Sequence, residues 1–444
     1  MGGFSLQKKK LTSFQVIILG FFGVILFGTF LLMLPFSRQS GGGAPFLDAL
    51  FTSTSAVCVT GLVLHDTAAY WSSFGQLVIL ILIQIGGMGV ITVAAAFAMI
   101  SGRKISLMQR STMQEAISAP KVGGIVRLTS FIIKTTLLIE LLGAAVMAPV
   151  FCRDFGARGL WMALFHSVSA FCNAGFDLMG VRSPSSSLTS YVSQPVINLV
   201  IMLLIIIGGI GFLTWDDIQS NRLHFRQYRM QSKIILTTTA FLLAVPAIFF
   251  FCSEFRSLPL AQRVLASLFQ SVTPRTAGFN TVDMASLSEG GQCITLVLML
   301  IGGSPGSTAG GMKTTTVAVL FATAIATFRR QESAHFFGRR VDDDVVKNAA
   351  TILMMYLALF FLGGLAISML EGLPVLTCLF EAASAVGTVG LSLGITAGLG
   401  TVSRLILILL MFCGRVGGLT LIFAALSGTR KNVSKYPREK VTVG

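Results

Sequence analysis

A motif that occurs four times, at intervals of about 110 residues, limits what this chain can fold into more than any other feature. Each copy contains Leu-Phe, a Ser or Thr four residues after that Phe, and a glycine five or six residues later. The copies are ALFTSTSAVCVTGL (49–62), ALFHSVSAFCNAGF (163–176), SLFQSVTPRTAGF (267–279), which is one residue shorter, and CLFEAASAVGTVGL (378–391). Four copies predict four equivalent units around a pseudo-fourfold axis.

Long apolar runs flank every copy. They cover about 13–35, 125–151, 232–252 and 346–370 before the motifs, and about 74–100, 195–215, 289–328 and 402–426 after them. Runs of about 20 apolar residues can cross a bilayer as helices. Each motif's Ser or Thr is preceded by a shorter stretch, which begins at Asp48, Met162, Leu260 or Val375. These stretches are too short to cross a bilayer. We expect an all-α polytopic membrane protein of four tandem helix–re-entrant pore loop–helix repeats, with eight spanning helices around a pseudo-fourfold pore.

A second repeat lies inside each following run. Its copies are IGGMG (85–89), IGGIG (207–211), IGGSPG (301–306) and CGRVG (413–417). Small residues let membrane helices approach closely, so helix packing is the expected role of the first, second and fourth copies. The domains assigned on this basis are repeat 1 (1–102), repeat 2 (103–222), repeat 3 with a broken second helix (223–330), repeat 4 (331–428) and a C-terminal tail (429–444).

Basic residues predict the orientation of these helices. The chain is 54% hydrophobic and 11% charged, and its net charge of +15 comes from short stretches between apolar runs. This distribution indicates membrane topology and argues against a nucleic-acid binder. Eleven of twelve lysines lie at the N-terminus, in the joins between repeats, near the start of the second repeat's first helix or in the tail. By the positive-inside rule, both termini and the joins are cytoplasmic, and the pore loops enter from outside.

Metal binding and enzymatic catalysis find no support in the sequence. The seven cysteines and four histidines are dispersed, without metal-ligand or disulfide spacing. No cluster of His, Asp, Glu or Ser and Lys has catalytic spacing. We therefore expect neither an enzyme, nor a transition-metal site, nor a cofactor bound to this chain.

Four re-entrant loops around one axis suit a cation pathway. Non-helical backbone at membrane depth persists only where protein buries it or where it lines a wet cavity. Carbonyl oxygens from such loops can replace the hydration shell of a cation. Each half-helix would also direct its negative C-terminal end toward the pore. The alternative is an alternating-access secondary transporter with a midplane substrate site, which normally has two inverted repeats rather than four parallel ones.

The motifs VCVTGL, FCNAGF, TPRTAGFN and GTVGLS, together with CGRVGGLT, resemble the Trk/Ktr/HKT superfamily of potassium transporters, and most closely its bacterial Ktr-type membrane subunit. The resemblance extends over nearly the whole chain. It implies K⁺ uptake in the bacterial plasma membrane, by a homodimer in the lipid bilayer with one pore in each protomer. It also implies a cytoplasmic, KtrA-like, nucleotide-binding regulatory ring. Sodium coupling and the preference for K⁺ over Na⁺ stay open.

The resemblance also implies an ion-binding selectivity filter with one glycine in each repeat. It comprises Cys58, Val59, Thr60 and Gly61; Cys172, Asn173, Ala174 and Gly175; Arg275, Thr276, Ala277 and Gly278; and Gly387, Thr388, Val389 and Gly390. Cys58 and Cys172 would contribute carbonyls rather than thiols. Arg275 cannot face a cation, so we expect it to bond carbonyls or an acid behind the filter, with Glu381 as a candidate.

The third following run is about twice the length that a span needs, and glycines and Pro305 interrupt it. Two half-helices joined by a loop at membrane depth fit better than one helix. The resemblance favours a gate loop made of Gly302, Gly303, Ser304, Pro305, Gly306, Ser307, Thr308, Ala309, Gly310, Gly311, Met312 and Lys313. A flexible kink without a gating role is the alternative.

A phosphate-binding P-loop is disfavoured for this stretch, although GSTAGGMKT (306–314) has a similar composition. Met312 separates Gly311 from Lys313, and apolar runs rather than a strand flank the segment. Arg415 stands where the other copies of the glycine step have glycine. The resemblance implies that Arg415 contacts the gate loop as a gate partner. A structural role, in which it bonds loop carbonyls, is equally compatible with the sequence.

Overall fold

The computed structural model describes residues 12–101, 105–117, 123–222, 224–418 and 420. The N-terminal lysines (8–10), Lys104, Lys121 and the tail (429–444), on which the predicted orientation depends, lie outside these residues. The described chain is mostly helical, with 17 α-helices. A small antiparallel hairpin of β1 (His335–Phe336) and β2 (Arg339–Arg340) follows repeat 3. This agrees with the predicted all-α class.

Four long helices begin the four repeats. They are α1 (Ser13–Leu32), α7 (Ile125–Phe155), α11 (Met230–Cys252) and α15 (Asp343–Glu371). Each is long and apolar enough to cross a membrane. Large apolar side chains on their outer faces are exposed, including Leu138, Leu141 and Phe241. Exposed apolar surface of this kind matches a hydrocarbon environment, as expected for a multi-pass membrane protein.

A short helix follows each long one and packs against it. These half-helices are α2 (Phe46–Val57), α8 (Arg158–Phe171), α12 (Leu260–Val272) and α16 (Val375–Gly387). Their lengths of 12 to 14 residues are too short to cross a bilayer. Almost every residue in their C-terminal halves is buried. The half-helices predicted from the motif are therefore present in all four repeats.

The helices after the motifs are broken in the first three repeats, whereas in the fourth repeat the structure describes one helix. They are α4 (Ser73–Met88) and α5 (Val90–Ile100), α9 (Pro195–Gly209) and α10 (Phe212–Asn221), α13 (Glu289–Leu300) and α14 (Thr314–Phe328), and α17 (Thr401–Val416). The first two pairs bend by 96° and 97°. The sequence predicts a break in the third repeat alone, so the breaks within 74–100 and 195–215 are features that it did not predict. The physical reason is the positive φ of Gly89 and Gly211, which an α-helix cannot contain.

The count of membrane spans depends on these breaks. By length and composition, the described residues contain four spanning helices, or up to six if each bent pair is one span. The eight predicted spans stay a prediction. Two short helices complete the fold: α3 (Thr67–Tyr70), which lies after the first motif, and α6 (Leu107–Ile117), which packs against α1.

Hydrogen bonds connect neighbouring repeats. Repeats 1 and 2 are joined by Ser185 N and Asp66 Oδ2 (2.9 Å), repeats 2 and 3 by Leu188 N and Asn280 O (2.9 Å), and repeats 4 and 1 by Arg404 Nη1 and Asp48 Oδ1 (3.2 Å). The last of these bonds connects the fourth repeat back to the first. The repeats therefore form a closed arrangement, and their half-helices lie inside it.

Candidate ion pathway

The loop after each half-helix has the same backbone conformation. In every copy, one non-glycine residue and the glycine two positions later have positive φ; the pairs are Val59 and Gly61, Asn173 and Gly175, Thr276 and Gly278, and Thr388 and Gly390. Positive φ is uncommon in non-glycine residues and costs free energy. Its recurrence at one position in four unlike sequences indicates that packing among the loops imposes this conformation.

The four glycines lie against one another in a closed ring. A Cβ built on each would meet a carbonyl oxygen of the next repeat: Gly61 with Ala174 (2.4 Å), Gly175 with Ala277 (2.7 Å), Gly278 with Val389 (2.3 Å) and Gly390 with Thr60 (2.3 Å). A Cβ atom in a folded protein essentially never lies this close to another heavy atom. Only glycine therefore permits this approach of backbone to backbone. The predicted filter glycines of all four repeats are thus together at one level of the structure.

The motif's Ser or Thr holds each loop in place, a role that the sequence did not reveal. Ser55 Oγ accepts from Gly61 N at 3.1 Å, and Ser384 Oγ accepts from Gly390 N at 3.0 Å. In the other two repeats the hydroxyl donates instead: Ser169 Oγ to the Phe176 carbonyl at 2.7 Å, and Thr273 Oγ1 to the Phe279 carbonyl. Each hydroxyl therefore connects the half-helix to the chain that leaves the ring.

The third loop accommodates its missing residue at the end of its half-helix. Helix α12 ends at Val272, three residues after the motif's Phe269, whereas α2 and α8 continue six residues past theirs. The pair of positive-φ residues keeps its spacing, with Thr276 two residues before Gly278. The deletion therefore shortens the helix and leaves the ring intact.

Arg275 and Glu381 do not pair, contrary to our expectation. Arg275 is 6% exposed, and its Nη2 donates to Thr239 Oγ1 at 3.4 Å, on the first helix of its own repeat. Glu381 accepts from Thr396 Oγ1 at 3.1 Å and from Ser392, so the chain that follows its own loop already occupies its carboxylate. Within the described residues, no ion pair joins Arg275 to an acid and no side-chain hydrogen bond joins it to a loop carbonyl.

One side of the ring, named the outer side here, faces a cavity of about 440 Å³. The ring glycines line it, together with three carboxylate side chains from Asp66, Asp177 and Asp283. Asp177 Oδ1 accepts from Met179 N at 2.8 Å. Acidic groups at the mouth of a narrow passage raise the local concentration of cations. The charge on this side of the ring therefore favours cations over anions.

The glycine steps pack against the ends of the half-helices, as predicted. A Cβ on Gly86 would lie 2.1 Å from the Val57 carbonyl oxygen. The matching distances are 2.0 Å for Gly208 and Phe171, and 2.2 Å for Gly414 and Val386. Small residues at these positions allow the helix after each of these motifs to lie directly behind its half-helix.

The third step is a loop over 301–313, between α13 and α14, as the sequence predicts. Its two ends are hydrogen-bonded together, by Gly302 N to Met312 O at 2.8 Å and by Thr314 N to Gly303 O at 3.0 Å. Gly302, Gly303 and Ser304 are buried, and so are residues 308–312. The loop is thus a compact buried segment closed at its base.

Carbonyls of the sister glycine steps accept hydrogen bonds from this loop. Gly209 O accepts from Ser304 N at 3.0 Å, and Gly208 O accepts from Thr308 N at 3.2 Å. On the opposite side, Gly414 O accepts from Gly311 N at 3.3 Å. Because the sister helices end near these residues, their carbonyls are available to the loop. Sequence reasoning assigned these steps to packing alone and missed this second role.

The loop lies directly against the ring. Thr308 Oγ1 accepts from Asn173 Nδ2 and donates to the Phe171 carbonyl, both at 3.0 Å. A Cβ on Gly310 would lie 2.1 Å from Thr388 Oγ1. Asn173 and Thr388 are the positive-φ residues of the second and fourth ring loops. The buried segment therefore contacts two of the four ring loops.

Two basic side chains hold the loop on its inner side. Arg415 donates through Nη1 to the Thr308 carbonyl, and through Nη2 to the Gly86 carbonyl and, at 3.2 Å, to the Gly87 carbonyl. Lys313 Nζ donates to the carbonyls of Ala309 at 2.8 Å and Gly310 at 3.3 Å. Both residues line an inner cavity of about 230 Å³. Arg415 thus bonds the loop and the first repeat's glycine step at the same time.

Comparisons with known proteins agree with this architecture. The family model TrkH, described as cation transport protein, matches residues 4–434. The chain is 40% identical to the potassium/sodium uptake protein NtpJ of Enterococcus hirae, over 98% of each protein. It is 39% identical to Ktr system potassium uptake protein B of Bacillus subtilis, over 99% of this chain and 100% of that protein. The crystal structure of the potassium transporter TrkH from Vibrio parahaemolyticus matches with a TM-score of 0.74 and 19% identity, covering 95% of this chain and 86% of that one.

Proposed function

Because the chain belongs to the TrkH family of cation transport proteins, we propose that it is the ion-translocating subunit of a bacterial K⁺ uptake system. The names of two relatives, at 39% and 40% identity, support potassium as the transported ion, and one of these names also includes sodium. The solved TrkH structure has 19% identity to this chain, so its similarity supports the fold of the pathway and not the transported ion.

The observation that carries this proposal is the closed ring of glycine loops. In the proposal, the sixteen residues of the predicted filter surround the ion and offer backbone carbonyls to it, with Cys58 and Cys172 contributing carbonyls as well. The half-helices direct the negative ends of their dipoles toward the same point. A ring of carbonyls at the end of four dipoles stabilises a dehydrated cation, and an acidic outer cavity supplies it.

The same proposal includes the orientation and the assembly. Each glycine step marks where one of eight spans breaks, both termini lie in the cytoplasm, and the ring opens to the outside of the plasma membrane. Two protomers associate, each with its own pore, and a KtrA-like nucleotide-binding ring docks on the cytoplasmic face. The name of the Bacillus relative, a Ktr system protein, supports a system of more than one subunit.

We further propose that the buried loop of residues 302–313 is the gate. It lies between the ring and the inner cavity, and Arg415 and Lys313 hold it there through carbonyl bonds. A cation below a cation filter opposes permeation, so both basic residues reinforce the closed state. Movement of the regulatory ring would release the loop. An alternating-access mechanism is less suited to this geometry, because the four loops form one ring rather than two facing halves.

Uptake by purified protein tests the function directly. We expect liposomes that contain this chain together with its regulatory ring to accumulate radioactive Rb⁺ as a K⁺ tracer when a K⁺ gradient is imposed. Unlabelled K⁺ should compete more strongly than Na⁺. Empty liposomes are the control. Absence of cation flux from correctly folded protein, both with and without a cytoplasmic nucleotide-binding subunit, would contradict the proposal.

Uptake should depend on external pH through Asp177. Burial, and to a lesser degree the charge of Asp66, raises the pKa of Asp177 to about 7, whereas its hydrogen bond from Met179 lowers it. The carboxyl group is therefore mostly charged at pH 8.5 and mostly neutral at pH 5.5. One unit charge near a wet mouth changes the local cation concentration about two- to fourfold.

In the original protein, we expect K⁺ uptake at subsaturating concentrations to fall about two- to fourfold between external pH 8.5 and 5.5. In Asp177→Asn, uptake should stay near that low value at both pH values. The neighbouring carboxylates of Asp66 and Asp283 remain in both proteins, so the difference between them isolates Asp177. If uptake by Asp177→Asn fell with decreasing pH as much as uptake by the original protein, this role would be contradicted.

A further inference from the structure

Glu140 is a buried carboxyl group in the middle of α7 that the proposed pathway does not use. It is 2% exposed, and no ion pair joins it to a cationic side chain among the residues that the structure describes. Ionisable side chains at membrane depth are costly and often mark functional positions. The contacts of this carboxyl group therefore indicate what it does.

Glu140 contacts the first repeat and the second ring loop at once. Gln84 Nε2, on α4, donates to Glu140 Oε2 at 3.1 Å. The thiol of Cys172, the first residue of the second filter loop, lies 3.8 Å from Glu140 Oε1 and 3.7 Å from Gln84 Oε1. In addition, Ser167 Oγ on α8 donates to the Glu140 backbone carbonyl at 2.6 Å. One residue of α7 is thus bonded to the half-helix, the filter loop and the neighbouring repeat.

Gln84 extends these contacts to the gate. Two residues after it, the Gly86 carbonyl accepts from Arg415, which also bonds the gate loop. A Cβ on Gly87 would lie 2.5 Å from the Cys172 thiol sulfur, so the glycine step of α4 packs tightly on this cysteine. The turn of α4 that anchors Arg415 is therefore positioned on one side by Cys172 and on the other by the bond from Gln84 to Glu140.

We propose that Glu140 is a positioning residue for ion selection, an inference that rests on the proposed function. Its carboxyl group accepts from Gln84 and fixes this side chain against Cys172, which sets the position of the second filter loop. In a low-dielectric site, an amide that loses its acceptor has no water to replace it. Loss of the acceptor therefore displaces Gln84 and, with it, the carbonyls next to Cys172.

The test compares two substitutions of similar size. Glu140→Gln retains an oxygen that can accept from Gln84, whereas Glu140→Leu removes it. We expect Glu140→Leu to raise the KM for K⁺ and to lower the K⁺ to Na⁺ selectivity ratio, each by about tenfold, with a smaller change in kcat. Glu140→Gln should stay within about twofold of the original protein in both quantities. Rb⁺ flux into liposomes, with K⁺ and Na⁺ as competitors, gives these values.

Two further variants separate this role from a general effect on folding. Thr129→Val changes another fully buried polar group of α7, whose hydroxyl bonds only its own helix, at Ile125 O, and it should leave KM and selectivity unchanged. Gln84→Leu removes the donor instead of the acceptor, and it should reproduce the effect of Glu140→Leu. The double variant Gln84→Leu/Glu140→Leu should be no worse than either single one.

Original selectivity in Glu140→Leu, or equal losses in Glu140→Leu and Glu140→Gln, would overturn the proposal, and so would additive losses in the double variant. If Glu140→Leu does not fold, original selectivity in Gln84→Leu would overturn it as well. Absence of cation flux from both the original protein and Thr129→Val would instead contradict the proposed function, so the two failures are distinguishable.

Discussion

Serine in place of any one ring glycine is expected to abolish the preference for K⁺ over Na⁺. The four glycines are Gly61, Gly175, Gly278 and Gly390, with φ between 68° and 93°. A side chain adopts that conformation at a cost of about 1–3 kcal/mol. Its Cβ would also meet a neighbouring carbonyl oxygen at 2.3–2.7 Å, so the carbonyls proposed to bind the ion must move. We expect the K⁺ to Na⁺ selectivity ratio to fall at least about tenfold.

Two glycines elsewhere provide matched controls for this prediction. Gly156 and Gly372 also have positive φ, at 61° and 67°, but no atom lies within 4 Å of an added Cβ. Serine there also has to adopt positive φ, but it displaces no carbonyl. Competition of K⁺ and Na⁺ against Rb⁺ uptake measures selectivity in all six variants. Unchanged selectivity in the four ring variants, or equal losses in the two controls, would contradict the filter assignment.

Deletion of residues 306–312 is expected to produce a pathway that is open without regulation. The deleted segment contains Thr308 and Gly311, which bond the second and fourth repeats, and the Thr308 carbonyl that Arg415 holds. Because this segment lies between the ring and the inner cavity, its removal should raise K⁺ flux at least about tenfold. The remaining flux should no longer respond to the nucleotide bound by the regulatory ring. Rb⁺ uptake with and without that ring measures both effects.

Point substitutions in α17 give this prediction an internal comparison. Arg415→Ala removes the bonds to the loop and to Gly86, and it should raise unregulated flux in the same direction but by less than the deletion. Arg404→Ala, on the same helix, removes a bond to Asp48 at the outer side and should leave regulation intact. Normally regulated flux in both the deletion and Arg415→Ala would show that the loop is a structural kink rather than a gate.

The parts of this fold that depend on local pattern could be predicted from the sequence. The fourfold motif located the half-helices, and Gly61 and its three counterparts were assigned to loops at one level. Pro305 and the surrounding glycines marked the break in the third repeat. In each case, a residue type with a restricted or unusual backbone preference recurs where the chain must turn.

Features that depend on three-dimensional contacts could not be predicted in this way. The glycine steps at Gly89 and Gly211 were assigned to packing, although positive φ there also bends the helices by more than 90°. Arg275 is expected to bond carbonyls or an acid such as Glu381 because it cannot face a cation, but the motif does not encode its side-chain direction, and the structure directs it to Thr239. Glu140 stands out in the sequence only as a single acidic residue within an apolar run. Nothing in the sequence indicates that Glu140 contacts Gln84.

In the proposed function, the four ring loops bind the transported cation through their backbone carbonyls. Anomalous diffraction from crystals of the protein grown with Tl⁺ or Rb⁺ in place of K⁺ tests it most directly. We expect anomalous density on the axis of the ring, within coordination distance of carbonyl oxygens from all four loops, and loss of that density in Gly278→Ser. Strong density elsewhere in the membrane region, with none on the ring axis of well-ordered crystals, would contradict the account.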